Sequence, residues 1–504
     1  MASISIVTRL CARIAGRPAA QPARLHYELS WRTYNLQQLS QLPRTQLPRF
    51  VRESPVALRY LDLLGPLDWG GFPERDLHSY RYCAPVPYAP FVAACLVKLV
   101  EKQPYMTDLH TYLIEHPALV WVVRFPLVPA RDFPWGFDVA ASLPTARHLT
   151  RMLRTLPNTA LQWLLDDTVR LLQAELNDVA PYFGQAISLD TKHILAWVEE
   201  NNPKAYVQDR YDKHKQPAGD PDCRLGCKRK RNQRAAREPA PAIDTAPATP
   251  LTNPVPAAGL KVGEYYWGYA SGVIATKVHE WGEFVLAELT QPFDQSDVSY
   301  FFPLLAETER RLGFRPRFGA FDAAFDAFYV YAYFHRAAQT SWKDAFAAVP
   351  HVARGPQLQF NPQGLPLCKA GLPMPLKGTF NNNTSLVPHE RGRYACPLRY
   401  PEVHADACPV ADPHWTKDGC TTTLPTSIGA RLRHQIDRAS TLYRAVYKQR
   451  TATERINSQA KELGIERPKL RNQRAIANQN TLIYILINLR ALHRVRDKQK
   501  KPAA

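Results

Sequence analysis

The sequence predicts an α/β fold built on a mixed sheet, and the order of its patterns supports this prediction. A stretch at 186–196 alternates apolar and polar residues like a strand, and stretches at 264–278 and 283–290 resemble the two arms of a β-hairpin. A helix pattern at 297–313, a short strand at 317–322 and a second helix follow. This order suits a layered α/β domain better than a helical bundle.

Composition narrows the class of protein further. The chain has 504 residues, enough for more than one domain, and a net charge of +19 with a pI near 9.5. That charge favours a polyanionic partner such as nucleic acid, although charge alone leaves a membrane surface open. No apolar run reaches the ~20 residues that span a bilayer, so no membrane association is expected. Nine cysteines in so long a chain favour a reducing cytosol over a secreted disulfide framework.

The first part of the chain has two sections. Residues 1–55 are basic, rich in proline and without sustained periodicity, whereas 56–180 reads as mostly helical. The helix pattern at 108–125 should break near Pro117. The helix predicted at 143–156 carries a stripe of basic residues: Arg147, Arg151 and Arg154. Such a stripe is often only a solvated face, but it could also hold DNA phosphates.

Two acids lie in strand patterns. Asp190 falls midway along the 186–196 strand, where an acid is costly unless it is paired, protonated, bound to a metal or turned to water at a sheet edge. Asp322 falls at the end of the 317–322 strand. Asp326 is the alternative to Asp322, and the strand-end position favours Asp322.

Two irregular stretches interrupt these patterns. Residues 200–262 hold a basic run followed by a Pro/Ala tract, which predicts a flexible insertion; its Cys223 and Cys227 are a weak metal half-site. Residues 341–427 are rich in Pro, Gly and Asn and contain four cysteines: Cys368, Cys396, Cys408 and Cys420. These four lack the tight Cys-x2-Cys spacing of zinc ribbons, so they could converge on a structural Zn²⁺ or remain free or buried thiols.

Helical patterns resume at 428–496, with a final apolar helix at 478–496 and a short tail at 497–504. Within this region, four residues at spacings of three, four and seven would share one helix face: Tyr447, Arg450, Glu454 and Lys461. Read alone, they could form an ordinary solvated face with an Arg450–Glu454 pair.

The pattern Tyr-x2-Arg-x3-Glu-x6-Lys resembles the signature around the last catalytic carboxylate of one group of DDE-type bacterial insertion-sequence transposases. The segments DTK at 190–192 and FDAAFD at 321–326 resemble that family's first and second aspartate segments. The resemblance implies a ribonuclease-H-like catalytic core from 181–340 and 428–496. It also implies a helical DNA-end-binding domain at 56–180 and a β-rich insertion domain at 341–427, before the final catalytic helix.

The resemblance also implies a chemistry. Asp190, Asp322 and Glu454 would hold two Mg²⁺ (or Mn²⁺) ions that cut DNA at the element's ends and join those ends to target DNA. Tyr447, Arg450 and Lys461 would lie near phosphates of the cut end. The implied partner is double-stranded DNA, bound by a homodimer at paired ends in the bacterial cytoplasm, in association with the nucleoid. The alternatives are a catalytically silent, transposase-derived DNA-binding regulator, a nuclease without strand transfer, and a basic structural protein, which the acids in apolar strands disfavour.

Overall fold

The computed structural model describes residues 35–76, 86–228, 264–351 and 358–500. Residues 1–34, most of the predicted Pro-rich insertion and the last four residues lie outside these ranges. Helices already begin at Leu36, inside the segment predicted to lack periodicity, because Leu36, Leu39 and Val51 are buried there. The predicted break near Pro117 is confirmed, since one helix ends before Pro117 and another begins at it.

The N-terminal half is helical, as the sequence predicts. Its helices are α1 (Leu36–Gln41), α2 (Arg49–Arg52), α3 (Pro55–Leu64), α4 (Tyr88–Val100), α5 (Met106–Glu115), α6 (Pro117–Val122), α7 (Val139–Ser142), α8 (Ala146–Thr155) and α9 (Asn158–Leu176). A short antiparallel pair, β1 (Val128–Pro129) and β2 (Phe137–Asp138), interrupts them.

A six-stranded mixed sheet follows, and the predicted α/β class is confirmed. Its strands are β3 (Ala186–Leu195), β4 (Arg224–Lys228), β5 (Glu264–Val278), β6 (Gly282–Pro292), β7 (Phe318–Ala320) and β8 (Phe346–Ala348). β5 pairs antiparallel with β3 on one edge and with β6 and β4 on the other. β7 lies parallel to β3, and β8 lies parallel to β7. The helices α10 (Phe301–Leu312) and α11 (Phe328–Thr340) connect the last three strands.

The structure differs from the sequence prediction at both irregular stretches. Residues 200–228 of the predicted flexible insertion are folded, and β4 adds to the sheet. Cys223 is buried there, and its thiol donates to the Asp220 carbonyl at 3.2 Å. At the second stretch, β8 belongs to the main sheet, so the irregular module begins only after residue 350. That module contains a separate three-stranded sheet of β9 (Leu376–Asn382), β10 (His389–Tyr394) and β11 (Thr422–Pro425).

The C-terminal helices return to the core. They are α12 (Ile428–Gln435), α13 (Thr441–Tyr447), α14 (Thr451–Glu462) and α15 (Gln473–Lys500). The predicted final apolar helix is confirmed: α15 is buried along most of its length and packs against α9, α8 and β6. One hydrophobic cluster therefore includes α15, β5 and the N-terminal helices. Within the described ranges, no helix is both long and apolar enough to cross a membrane.

Buried amides on α15 fix its position on the sheet. The side chain of Asn488 accepts from the Val285 N–H at 2.9 Å and donates to the Val285 carbonyl at 2.8 Å. Val285 lies at a bulge of β6, where its outward-facing backbone groups have no neighbouring strand. Asn488 therefore completes the edge of the sheet in place of a strand.

A buried carboxylate joins the helical half to the sheet. Glu288 on β6 accepts hydrogen bonds from Thr481 on α15 and, at 2.7 Å, from Gln162 on α9. Burial raises the pKa of the Glu288 carboxyl to about 7, and the hydrogen bonds from Thr481 and Gln162 offset part of that rise. The protonated form is therefore the one that the fold favours.

We predict that Glu288→Gln stabilises the protein in a pH-dependent way. Because the folded pKa is about 7 and the ordinary value is 4.5, the contribution of Glu288 is fully present below about pH 4.5 and is lost as the pH rises through 7. The variant should match the wild type near pH 4 and exceed its free energy of unfolding at pH 8 by an amount on the order of 3 kcal/mol. Urea denaturation measures this difference, and Glu115→Gln, at an exposed position, should show none. An equal difference at both pH values would contradict the prediction.

Candidate active site

Asp190 and Asp322 lie side by side, Asp190 within β3 and Asp322 just beyond the end of the parallel strand β7. The last paired residues of β3 and β7 are Ser188 and Ala320, and both aspartates stand two residues further along. Continuing the register places Asp322 directly beside Asp190, with both side chains on the same face of the sheet. Asp322 also begins a 3₁₀ turn, where its carboxylate accepts from the Ala324 N–H at 2.8 Å.

The electrostatics of this pair reflect its crowding. Burial raises the pKa of the Asp190 carboxyl to about 6, the neighbouring charge of Asp322 raises that pKa further, and the Thr191 N–H and the Arg450 guanidinium oppose the shift. Burial likewise raises the pKa of Asp322, with the charge of Asp297 acting in the same direction. Two acids held this close favour a cation between them.

Glu454 approaches the pair from the C-terminal helices. It lies in the first turn of α14, which packs across β3, β5 and β6. One turn later on α14, the Asn457 amide donates to Asp190 Oδ2 at 3.1 Å, so the helix carrying Glu454 is docked on the strand carrying Asp190. The Glu454 carboxylate itself is 49% exposed and is ion-paired with Arg450.

Arg450 is shared by all three predicted catalytic acids. It ends the 3₁₀ turn Lys448–Arg450, which packs across both β3 and β7. Its guanidinium pairs with Glu454, and its charge lowers the pKa of both Asp190 and Asp322. One cationic side chain thus pairs with one of the acids and acts through its charge on the other two, although the three acids come from distant parts of the sequence.

The sequence predicts one long helix or two adjoining helices for this region, and the structure has two, joined by a 3₁₀ turn. The four signature residues therefore do not share the face of one continuous α-helix. Tyr447 ends α13, Arg450 lies in the 3₁₀ turn, and only Glu454 and Lys461 belong to α14. The Tyr447 ring stacks on that of Tyr443, with centroids 6.1 Å apart. Lys461 is mostly exposed and lies 3.7 Å from Glu466, which also pairs with Lys192. The break in the helix lets the 3₁₀ turn place Arg450 over the strand ends.

Two neighbours of the acids were missed by sequence reasoning. Asp297 follows β6, accepts from the Thr191 hydroxyl at 2.8 Å and adds its charge to the environment of Asp190 and Asp322. No local pattern identifies it, because it reads only as the start of a helix. Asn457 could have been found, since it stands three residues after Glu454 on the same helix face.

Asp326, the alternative to Asp322, lies in a different environment. Its side chain is fully buried and accepts two hydrogen bonds from Arg433, at 2.8 and 2.7 Å, and one from the Tyr331 hydroxyl at 2.7 Å. Asp326 therefore joins α12 to α11 and serves the fold.

The other predicted site residues lie outside the carboxylate cluster. Arg147, Arg151 and Arg154 are exposed on α8, and in the part of the chain that the structure describes no acid pairs with them. Cys368, Cys396, Cys408 and Cys420 line one small cavity in the β9–β11 module.

As the described side chains stand, no group of three or more His, Cys, Asp and Glu residues is arranged to hold a metal ion. At the carboxylate cluster, Glu454 is ion-paired with Arg450. The chain matches no protein-family model, no curated protein and no solved structure. Its function must therefore be inferred from the residues and their contacts.

We predict opposite effects on stability for Asp326→Asn and Asp322→Asn. The first change removes the charge that pairs with Arg433 in a buried setting and should cost on the order of 2–4 kcal/mol. The second relieves repulsion with Asp190 and should cost nothing or stabilise the protein. Chemical denaturation at pH 7.5 without divalent ions measures both. A large loss of stability in Asp322→Asn would contradict the distinction between a functional and a structural acid.

Proposed function

We propose that this protein is a metal-dependent DNA transposase that cuts DNA at the ends of an insertion element and joins those ends to target DNA. The observation that carries the proposal is the convergence of Asp190, Asp322 and Glu454 around Arg450. A purely structural protein has little reason to place two acids in register on neighbouring strands and a third on the helix that packs across them, because acids held close together repel one another and lower stability.

The fold supports the proposal. Apart from the added strand β4, the sheet is built in the order strand, hairpin, helix, strand and helix. The first acid lies within β3 and the second lies just beyond β7. This is the element order that the resemblance to DDE transposases implies for a ribonuclease-H-like core. The β9–β11 module stands between the second acid and the helix that carries the third, where the resemblance implies a β-rich insertion.

The residues present fit divalent metal ions. Carboxylate oxygens are the ligands that Mg²⁺ and Mn²⁺ prefer, and Asp190 and Asp322 offer them in adjacent register. The buried Oδ1 of Asn457, beside Asp190, has no hydrogen-bond partner among the described residues and could bind a metal-bound water or the ion itself. Bound ions would stabilise the attacking and leaving oxygens of a phosphodiester and lower the pKa of a bound water.

The chain's own residues then have distinct tasks. Asp190 and Asp322 provide fixed ligands on the sheet, and Asn457 orients Asp190. Glu454 would complete the set of metal ligands once its carboxylate leaves Arg450 and binds a metal ion instead. Arg450 would then be free to bind a phosphate of the cut strand, for which its planar guanidinium is suited.

DNA binding would extend beyond the acids. Lys461 lies on the same helix as Glu454, and we propose that it contacts the cut end together with Tyr447. The exposed arginines of α8 would hold the backbone of the element's end through charge, in a way that weakens with salt. A homodimer would hold two ends together.

One observation favours a second candidate, a catalytically silent DNA-binding regulator. Glu454 is engaged by Arg450, and the described side chains do not form a closed metal-ligand set. Such a protein would keep the basic surface and would bind DNA without cutting it, whether or not metal is added.

The proposal is tested with a supercoiled plasmid that carries the terminal repeats flanking the gene, in the presence of Mg²⁺ or Mn²⁺. Wild-type protein should cut at the repeat ends. Glu454→Gln should lower the rate of DNA cleavage strongly. Loss of a residue that only supports a metal ligand costs roughly 10–100-fold, and loss of a ligand itself should cost more. DNA binding in a gel-shift assay should remain.

The matched control is Glu462→Gln, an exposed acid two turns further along α14, which should cut like the wild type. Full activity of Glu454→Gln would remove Glu454 from the site. Binding without cutting by the wild type would favour the regulator. Cutting without joining to an added target duplex would favour a nuclease.

A further inference from the structure

The irregular module between residues 358 and 426 has almost no apolar core. Its buried hydrophobic residues in the described range are Met374, Ala395 and Cys396, and none of them belongs to the three hydrophobic clusters of the protein. The side chains of β9 are almost all exposed. A folded unit of fewer than about 70 residues with so little buried apolar surface needs another source of stability, such as a metal or disulfides.

The backbone of the module brings two cysteines together. β10 and β11 pair antiparallel, and their last partners are Tyr394 and Thr422. Cys396 follows Tyr394 by two residues and Cys420 precedes Thr422 by two, so the same register places the two cysteines opposite each other. The Cys420 and Cys396 thiols are neighbours within hydrogen-bonding reach of one another.

The other two cysteines lie at the starts of tight turns. The carbonyl of Cys368 accepts from the Gly371 N–H at 2.9 Å, and that of Cys408 accepts from the Ala411 N–H at 3.0 Å. Gly371 and Ala411 both have positive φ, as does Gly419 just before Cys420. Turns of this kind project a cysteine away from its own backbone, and all four cysteines line the same cavity. The 366–374 segment is held beside Cys396 by a hydrogen bond from the Ala395 N–H to the Pro375 carbonyl, 3.0 Å.

We propose that Cys368, Cys396, Cys408 and Cys420 bind one structural Zn²⁺ as four thiolates. Four Zn–S bonds form, and the four thiol protons are released to solvent, so no oxidant or reductant is required. The sulfurs as they stand do not form a closed ligand set, so binding requires the cysteine side chains that line the cavity to reorient around the ion. Lys369, which lines the cavity beside Asp412, supplies positive charge next to the thiolates.

This site is independent of the proposed DNA chemistry. It would hold the module together, and it requires none of the acids near Arg450. The competing structure is a disulfide between Cys396 and Cys420, whose opposite positions would also permit one. The two alternatives differ in metal content and in the number of free thiols.

The test is the metal content of the full-length protein, purified with a reductant and without a histidine tag. Elemental analysis should find one zinc ion per chain. A mercurial that blocks thiols should release this zinc, and a chelating dye then measures the amount released. Protein loaded with Co²⁺ should show the sulfur-to-cobalt charge-transfer and d–d absorption bands of a tetrahedral thiolate site.

Cys408→Ser should lower the zinc content of the purified protein to background. If some zinc remains, a competing chelator should remove it at a concentration at least tenfold lower than the wild type requires. Cys227→Ser, at a partly exposed position on β4, is the matched control and should retain one zinc. Because Cys408→Ser could also destabilise the module, the wild-type zinc and cobalt measurements stand as the independent check. Wild-type protein without zinc after growth in zinc-supplemented medium, or with a Cys396–Cys420 disulfide found by mass spectrometry, would overturn the proposal.

Discussion

The site depends on one electrostatic constraint, which is the repulsion between acids held in register on neighbouring strands. The parallel register of β3 and β7 forces Asp190 beside Asp322, and Asp297 adds a further negative charge. Arg450 offsets part of this repulsion from its 3₁₀ turn above both strands. Burial, with a further contribution from the charge of Asp322, raises the pKa of Asp190. In the proposed function, a divalent cation would offset the remaining repulsion more completely than one guanidinium can.

The rest of the fold keeps this arrangement in place. α14 is docked on β3 through Asn457, and the Arg455–Glu283 pair, 2.5 Å, fixes the same helix to β6. α15 then spans from the sheet to the N-terminal helices, joined by Asn488 and by the Glu288 network. The N-terminal helices consequently share a core with the sheet, and a partner bound to one would be held in a fixed position relative to the other.

Much of this organisation could be predicted from sequence because it depends on local patterns. The alternation at 186–196, the hairpin and the apolar final helix each have a clear periodicity, and the acid at a strand end identified Asp322. The remainder depends on contacts between distant residues. Nothing local shows that Asp326 pairs with Arg433, that β8 joins the main sheet, or that β4 folds out of a stretch that reads as disordered. The 3₁₀ turn at Lys448–Arg450 also escaped prediction, because all of its residues suit a helix.

The two proposed metal sites differ in what the chain provides for each. At the acids, the proposed ligands are hard oxygens on two internal strands of a large sheet that has an extensive apolar core of its own. In the β9–β11 module, the ligands are soft thiols in a unit with almost no core, where a metal would supply stability directly. The first would serve chemistry and the second would serve folding, so loss of one should leave the other intact.

The central claim is that Asp190, Asp322 and Glu454 share one divalent-metal site, and metal-directed backbone cleavage tests it most directly. Fe²⁺ replaces Mg²⁺ at oxygen-ligand sites and, with ascorbate and peroxide, generates radicals that cut the nearby backbone. The account predicts cuts in three separate segments, near 190, 322 and 454, that excess Mg²⁺ suppresses. Cuts confined to one of these segments, or cuts that Mg²⁺ does not suppress, would contradict it.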